Sequence, residues 1–195
     1  MRFRAVLNRD GGTLRTMDLD QFCAMAEAIF AEAGHQLDCD AVAGKYVEQA
    51  LKTAADDDGV DVILAGGGDG TISAAAAIGF TRGKAIAVLP AGTMNLFARA
   101  LDMPLNLEAA LQAIAAGELQ RIDIATANGR PFVHQFGVGI HARLVRIRND
   151  MVFSSRVGKM FASLRSIAAA AVDPPRFEAE LQTDGGSTRH VVSGI

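Results

Sequence analysis

The stretch Val60-Asp61-Val62-Ile63-Leu64-Ala65 runs directly into Gly66-Gly67-Gly68-Asp69-Gly70-Thr71. The first part is mostly apolar, which is typical of a buried strand, and the glycines that follow let the backbone approach an anion closely. A helix after such a loop directs free N–H groups at the same point. The stretch therefore predicts a nucleotide site. Asp69 needs an explanation, because a carboxylate beside a polyphosphate requires a hydrogen-bond donor or a cation such as Mg2+.

A simpler interpretation of the same loop is a glycine-rich turn in which Asp69 or Thr71 caps the next helix. Three glycines before the Asp and one after it are more than a cap requires, because each costs backbone entropy on folding. The loop also lacks the Lys of a P-loop and the G-x-G-x-x-G spacing of a dinucleotide site. We therefore expect phosphate binding by a chemistry that differs from both motifs.

Strands and helices alternate through the first two-thirds of the chain. The pattern predicts strands over 3–7, 36–39, 60–65 and 85–90, and helices over 19–33, 41–55, from Thr71 onward and over 107–116. This alternation predicts an α/β fold with a mostly parallel, doubly wound sheet. In such folds ligands bind beyond the carboxyl ends of the strands, where the polar loops over 8–13, 66–71 and 91–95 fall.

The pattern changes after Gly117 to short strands over 119–127, 131–136, 176–181 and 189–192. Asn128-Gly129 and Asp184-Gly185-Gly186 are typical hairpin turns, and a long helical region is expected over 143–171. We therefore expect an α/β nucleotide-binding domain over 1–120 and the beginning of an antiparallel β-rich domain, with a helical insertion, over 121–195. Unpaired strand edges in this incomplete domain are expected to favour self-association.

Composition narrows the function classes. Of the 195 residues 50% are hydrophobic and 21% are charged, which is typical of a folded globular chain. The net charge of -3 gives no global attraction to nucleic acid. No apolar run reaches the length of a membrane span or resembles a signal peptide, so we expect a cytoplasmic protein. Cys23 and Cys39 are expected to be buried, reduced thiols, and the four histidines show no metal-ligand spacing.

Two ordered motifs carry a family resemblance. Gly67-Gly68-Asp69-Gly70-Thr71 matches the GGDGT pattern shared by diacylglycerol, sphingosine, bacterial lipid and NAD kinases. Pro90-Ala91-Gly92-Thr93-Met94-Asn95-Leu96-Phe97-Ala98-Arg99 resembles the P-x-G-T-x-N-x-F-A-R segment of the diacylglycerol kinase catalytic domain, which the NAD kinase pattern lacks. Residues 8–12 resemble the family's N-P-x-S-G loop, and 121–123 with 132–142 resemble the start of its second domain. Essentially the whole chain thus resembles that family, in its bacterial lipid kinase form.

The resemblance implies ATP- and Mg2+-dependent phosphorylation of a lipid hydroxyl, such as that of diacylglycerol. It assigns the nucleotide site to Asn8, Gly11, Gly12, Gly67, Gly68, Asp69, Gly70, Thr71, Gly92, Thr93 and Asn95. Asp69 is expected to organise Mg2+ and water or to orient a neighbour, and its alternative role is general base toward the lipid. Because the family's catalytic base lies in a later motif, we expect this chain alone to have little or no kinase activity.

Three residues depart from the family pattern. Arg9 stands in place of Pro, Gly11 in place of Ser and His141 in place of Asp, which is expected to affect loop rigidity, a phosphate contact, activity or substrate choice. Met94 and Phe97 are expected to pack in the core.

A helical region rich in Arg and Lys beside Met and Phe, over 143–165, suits either transient contact with an anionic membrane or a solvated helix over a core. Two other functions stay open on the sequence alone. These are an NAD kinase-like phosphotransferase and a nucleotide-binding or regulatory module without catalysis.

Overall fold

The computed structural model describes residues 1–139, 142 and 176–194. The strands are β1 (Arg2–Asn8), β2 (Gln36–Val42), β3 (Val62–Gly67), β4 (Ala85–Pro90), β5 (Ala125–Ala127), β6 (Arg130–Phe132), β7 (Phe177–Thr183) and β8 (Gly186–Val192). The helices are α1 (Leu19–Glu32), α2 (Val47–Asp56), α3 (Asp69–Arg82), α4 (Leu96–Ala100) and α5 (Leu107–Ala115). Short 3-10 turns lie over Gly12–Thr16 and Gly44–Tyr46.

The first four strands form one parallel sheet in the order β2-β1-β3-β4. Alternate residues of β1 point to opposite faces, so that Phe3 and Leu7 join the core under α1 and α5, while Val6 joins the core under α2 and α3. Both faces are therefore covered by helices, which is why β3 is buried along its whole length. The predicted doubly wound α/β fold is confirmed.

Local sequence sets where the helices begin and end. The side chain of Asp18 accepts a hydrogen bond from the Gln21 backbone N–H at 3.1 Å and so caps α1. Helix α3 ends at Gly83, whose φ of 67° is the left-handed conformation that glycine adopts without a Cβ penalty. The start of α1 and the end of α3 therefore follow from the residue types found there.

The strand order reverses between β1 and β3, because β1 is followed by β2 on one side and β3 by β4 on the other. Leu7 is in register with Gly66, so the carboxyl ends of the two strands, at Asn8 and Gly67, lie next to each other. In open α/β sheets this reversal leaves a crevice between the connections, and ligands bind there. The fold thus places residues 8–13 and residues 66–71 next to each other at the carboxyl edge of the sheet.

The chain divides into two compact units, Met1–Gln135 and Phe136–Ile195. The first contains the parallel sheet and the β5–β6 hairpin, which packs against α3. In the second, the described part is the antiparallel β7–β8 hairpin together with a bridge between Gly139 and Gly194. The hairpin turn predicted at 128–129 is confirmed, and the one predicted at 184–186 consists of residues 184–185, since Gly186 already pairs with Thr183 in β8. The domain boundary at 120/121 stays a prediction.

Several predicted element boundaries were wrong. Helix α2 begins at Val47 instead of residue 41, because β2 continues to Val42, which pairs with Asn8 of β1. Helix α3 begins at Asp69 instead of Thr71. The strand predicted over 119–127 is confined to Ala125–Ala127, since only these residues pair with β6 in the described ranges.

Two predictions about side chains were also wrong. Cys23 and Cys39 form a disulfide instead of two free thiols, because α1 packs against β2 and brings their Cα atoms to 5.6 Å. Met94 is 59% exposed on a loop, while Phe97 is buried as expected. The helical region predicted over 143–171, with its basic residues, and His141 lie outside the described residues. Among the helices that are described, none is both long and apolar enough to cross a membrane.

Candidate nucleotide-binding site

Three segments meet at the carboxyl edge of the sheet, and each runs from the end of a strand toward the next element. We call them the first loop (residues 8–13), the glycine loop (residues 66–71) and the third loop (residues 90–95). Together with the start of α2 they enclose a cleft of about 480 Å³. The lining residues are Asn8, Gly11, Gly12, Gly44, Val47, Glu48, Gly68, Gly70, Thr71, Ala74, Gly92 and Thr93. The cleft lies at the strand-order reversal, where the fold predicts a ligand site.

Asn8 joins the first loop to the glycine loop. Its Nδ2 donates a hydrogen bond to Oγ1 of Thr71 at 3.1 Å. Its Oδ1 accepts the Asp10 backbone N–H at 3.1 Å and its carbonyl accepts the Gly11 N–H at 3.1 Å, so the same residue folds its own loop. A hydroxyl that accepts a hydrogen bond can also donate one, and Thr71 lines the cleft.

The first loop also lies directly against the third loop. The Thr13 backbone N–H donates to the Ala91 carbonyl at 2.9 Å, and the Ala91 N–H donates to the Gly67 carbonyl at 3.1 Å. Gly12 has a φ of 49°, and a Cβ there would overlap the Ala91 carbonyl oxygen. Glycine at position 12 is therefore required by the approach of the two backbones.

The glycines of the site fall into two classes. A Cβ on Gly92 would lie 2.5 Å from the Cα of Gly68, and a Cβ on Gly67 would lie 2.6 Å from Oγ1 of Thr71, so these glycines permit loop packing. Gly70 differs, because a Cβ there would meet no atom within 4 Å although the residue lines the cleft. The protein itself thus leaves room at Gly70.

Asp69 connects the glycine loop to the third loop. Its Oδ2 accepts the Asn95 backbone N–H at 3.1 Å and its Oδ1 accepts the Leu96 N–H at 2.7 Å, where α4 begins. A carboxylate at a helix N-terminus satisfies free N–H groups and the helix dipole. Asp69 therefore has the donors that its place among glycines requires, and the partners that it orients are Asn95 and Leu96. Its role toward Mg2+ stays a prediction.

Asn95 holds the third loop in shape. It adopts a left-handed conformation with a φ of 50°, which Asn tolerates better than most residues, and it is 8% exposed. Its Oδ1 accepts the Gly92 N–H at 2.8 Å, and its Nδ2 donates to the carbonyls of Gly92 at 2.9 Å and Pro90 at 3.4 Å. The Asn95 amide is thus engaged within the protein, while the neighbouring Thr93 is exposed and lines the cleft.

The predicted site residues therefore divide by position. Those that line the cleft are Asn8, Gly11, Gly12, Gly68, Gly70, Thr71, Gly92 and Thr93. Gly67, Asp69 and Asn95 lie behind it and hold the loops together through the contacts above. The structure brings all the predicted residues to one edge of the sheet.

The sequence interpretation missed the wall formed by Gly44, Val47, Glu48 and Ala74. Had β2 been extended to Val42, the connection to α2 would have been placed at the same sheet edge as the other loops. The Gly44 N–H donates to Oδ2 of Asp10 at 2.7 Å, which ties this connection to the first loop. The wall was missed because the end of β2 is set by pairing with β1, which residues 40–42 alone do not reveal.

The electrostatics of the cleft are unusual for an anion site. In the described part of the chain no Lys or Arg lines it, and the charged residue on its wall is Glu48. A hydrogen bond from Lys52, with Nζ 2.7 Å from Oε1, and the lysine charge hold the pKa of Glu48 below its ordinary value. Arg9 is used elsewhere, since its Nη2 donates to the Ala41 carbonyl at 2.7 Å and anchors the first loop to β2.

Comparisons with known proteins agree on one family. The family model described as the diacylglycerol kinase catalytic domain matches residues 2–127. An uncharacterized protein of Synechocystis sp. is 32% identical over 151 residues, which are 77% of this chain and 34% of that protein. A Yersinia pestis protein named "Probable lipid kinase YegS-like" is 36% identical over 101 residues, which are 50% of this chain and 32% of that protein.

The fold agrees with a solved structure. A diacylglycerol kinase from Bacillus anthracis str. Sterne superposes with a TM-score of 0.68 at 20% identity, covering 99% of this chain and 62% of that one. The chain spans about a third of the length of the curated relatives it matches. Since the family model covers well over half of the residues, the chain belongs to the diacylglycerol kinase catalytic domain family.

Proposed function

We propose that this chain carries the nucleotide-binding half of a lipid kinase that transfers the γ-phosphoryl group of ATP to a lipid hydroxyl of the diacylglycerol type. The observation that supports this most is the joining of three loops around one cleft at the strand-order reversal. Family membership supports kinase chemistry, and the similarity to the probable lipid kinase of Yersinia pestis supports a lipid acceptor.

The start of α3 is the phosphate-binding element of this proposal. The first turn of a helix has N–H groups without intrahelical acceptors, and here it begins at Asp69 and includes Gly70 and Thr71. The open space at Gly70 lets a phosphate approach these groups. The hydroxyls of Thr71 and Thr93 add donors on the two sides of the cleft.

Mg2+ is the cation that this chemistry requires, because no Lys or Arg of the described residues lines the cleft to offset the phosphate charge. No group of three His, Cys, Asp or Glu side chains in the described ranges is arranged as a metal cage. That suits Mg2+, which keeps several waters and is bound through one or two carboxylates plus substrate phosphates. Asp69, whose two oxygens already accept backbone N–H groups, would organise water around the ion, and the ion would neutralise charge on the phosphates.

The residues of the cleft bind and orient the nucleotide, and we propose that the base lies elsewhere in the protein. In the transfer, the lipid oxygen bonds to the γ-phosphorus, the bond to the β–γ bridging oxygen breaks, and the lipid proton passes to a base. Both Asp69 oxygens already accept backbone N–H groups, and Lys52 lowers the pKa of Glu48 and so makes it a weaker base. We therefore assign neither carboxylate that role. We therefore expect the 195-residue chain to bind ATP with little turnover.

The acceptor places the protein at a membrane surface. We propose that it is cytoplasmic and contacts the membrane transiently, because a diacylglycerol-like lipid stays in the bilayer. The sequence over 143–165 supplies the basic and apolar residues for that contact. Substituting its Arg and Lys residues is expected to weaken sedimentation with anionic vesicles, and unchanged sedimentation would contradict the membrane contact.

Binding is tested by calorimetric titration of the 195-residue chain with ATP and Mg2+. Thr71→Ala is expected to weaken binding about tenfold through loss of the hydroxyl, and Thr71→Ser to restore most of it. Thr81→Ala, on the same helix but away from the cleft, is the matched control. Equal affinity of the wild type and the Thr71→Ala variant would contradict the proposed phosphate site.

The acceptor is tested with the longest natural form of the protein, by measuring ATP consumption with diacylglycerol vesicles and with NAD. The proposal predicts consumption that depends on the lipid. Consumption that depends on NAD would instead identify a soluble-substrate kinase, and ATP binding without consumption in either case would identify a non-catalytic module.

A further inference from the structure

The cleft has a second wall, which differs in character from the phosphate end. It is formed by Val47 and Glu48 in the first turn of α2 and by Ala74 on α3. Ala74 is four residues beyond Gly70, so the two lie on the same face of α3, one turn apart. Val47 is buried and Ala74 is half-buried. The lining therefore changes, within one helical turn, from glycines and hydroxyls to apolar side chains.

Glu48 is the polar group on this wall. Its carboxylate is held in the ionised form by Lys52, whose Nζ lies 2.7 Å from Oε1. An ionised carboxylate only accepts hydrogen bonds, and it repels phosphates. Its partner in an occupied cleft must therefore be a cation or a neutral hydrogen-bond donor.

A neutral donor fits better than a cation. The Lys52 ammonium group already compensates the charge of Glu48, which makes the pair a weak site for a second positive ion. The apolar flanks at Val47 and Ala74 likewise suit the uncharged part of a ligand.

Given the proposed function, which this inference rests on, we propose that Val47, Glu48 and Ala74 form the nucleoside subsite and that the Glu48 carboxylate accepts a hydrogen bond from a ribose hydroxyl of ATP. The ribose follows the α-phosphate directly in the nucleotide. Ala74, one turn from Gly70 on α3, is therefore expected to meet the sugar before the base, and Glu48 lines the same cleft. The sugar carries O–H donors, and Glu48 keeps Oε2 as an acceptor for one of them, because the hydrogen bond from Lys52 goes to Oε1.

Glu48 also has an ordinary structural explanation. An acidic residue in the first turn of a helix, paired with Lys at i+4, stabilises that helix whether or not a ligand binds. A residue with only that role would change the stability of α2 but would not affect which nucleotide is preferred. Discrimination between nucleotides therefore separates the two explanations.

The experiment is calorimetric titration of the 195-residue chain, with Mg2+, using ATP, 2′,3′-dideoxy-ATP and inosine triphosphate. For the wild type we expect ATP to bind about tenfold more tightly than the dideoxy analogue, as for a hydrogen bond to a charged group. In Glu48→Ala the ratio of the affinity for ATP to that for the dideoxy analogue falls to about one. Gln49→Ala, the neighbouring residue outside the cleft lining, keeps the wild-type ratio.

Four other outcomes would contradict the proposed ribose contact or the proposed function. A wild-type protein that binds both adenine nucleotides equally, or a Glu48→Ala variant that keeps the wild-type ratio, contradicts the ribose contact while the proposed function stands. Glu48→Ala abolishing only the preference for ATP over inosine triphosphate would move the contact to the 6-amino group of the base, against the proposal. A wild type that binds none of the three nucleotides contradicts the proposed function itself.

Discussion

The carboxylate of Asp69 caps the helix that begins at Leu96, with Oδ1 2.7 Å from the Leu96 backbone nitrogen. The second oxygen accepts the adjacent Asn95 N–H. One side chain of the glycine loop thus fixes the start of α4, and with it the loop that carries Gly92 and Thr93 into the cleft. The geometry of the site therefore depends on a bond between residues 27 positions apart.

We expect Asp69→Ala to lower the free energy of unfolding by about 1–3 kcal/mol, because two partly buried N–H groups lose their acceptor. Asp69→Asn keeps one oxygen acceptor, so its free energy of unfolding should fall by less than that of Asp69→Ala. Guanidinium denaturation measures both variants. ATP binding should weaken in the same order, and an alanine variant as stable as the wild type would contradict the bracing role.

Gly70→Ala is expected to separate binding from stability. The added methyl meets no atom within 4 Å outside its own stretch of helix, and the change removes a glycine from α3. The variant should therefore be as stable as the wild type or more stable by about 0.5–1 kcal/mol. The same methyl occupies space in the cleft, and ATP affinity should fall at least about tenfold. Gly185→Ala, in the β7–β8 hairpin and also free of close contacts, is the control. Full affinity in Gly70→Ala would place the ligand elsewhere.

Gly92→Ala, unlike Gly70→Ala, should lower the stability of the protein. Its methyl would lie 2.5 Å from the Cα of Gly68, so the two loops must move apart, at a cost of about 1–3 kcal/mol. Thermal unfolding should show a lower midpoint, with ATP binding reduced as a consequence. An unchanged midpoint would mean that the glycine and third loops do not pack in this way.

Asn95 offers a matched pair of substitutions. Asn95→Gly keeps the left-handed conformation and loses the side-chain bonds to Gly92 and Pro90, whereas Asn95→Ala loses both. We expect alanine to be less stable than glycine by about 1 kcal/mol, the cost of this conformation for a residue with a Cβ. Urea denaturation of the two variants gives the difference. Glycine as the less stable of the two would contradict the backbone assignment.

Periodicity and loop composition predicted the parallel sheet and the sheet edge at which the loops meet. Both follow from local patterns, since a buried strand such as β3 and a glycine run are visible in a few consecutive residues. The family resemblance of the two motifs and of residues 8–12 supplied the site residues.

Contacts between distant residues were not predictable in the same way. Neither the capping of α4 by Asp69 nor the Cys23–Cys39 bond has a signature in local sequence, because each depends on which elements the fold places side by side. The position of Glu48 was missed for a related reason. The end of β2 is set by pairing with β1, and the residues 40–42 alone do not reveal it.

The most direct test of the nucleotide site is an NMR titration of the 195-residue chain with ATP and Mg2+, following backbone amide shifts. We expect saturable shifts centred on Gly68, Gly70 and Thr71, extending to Gly12 and Thr93 and leaving the β7–β8 hairpin unchanged. No saturable shift, or shifts centred outside the three loops, would contradict the nucleotide site.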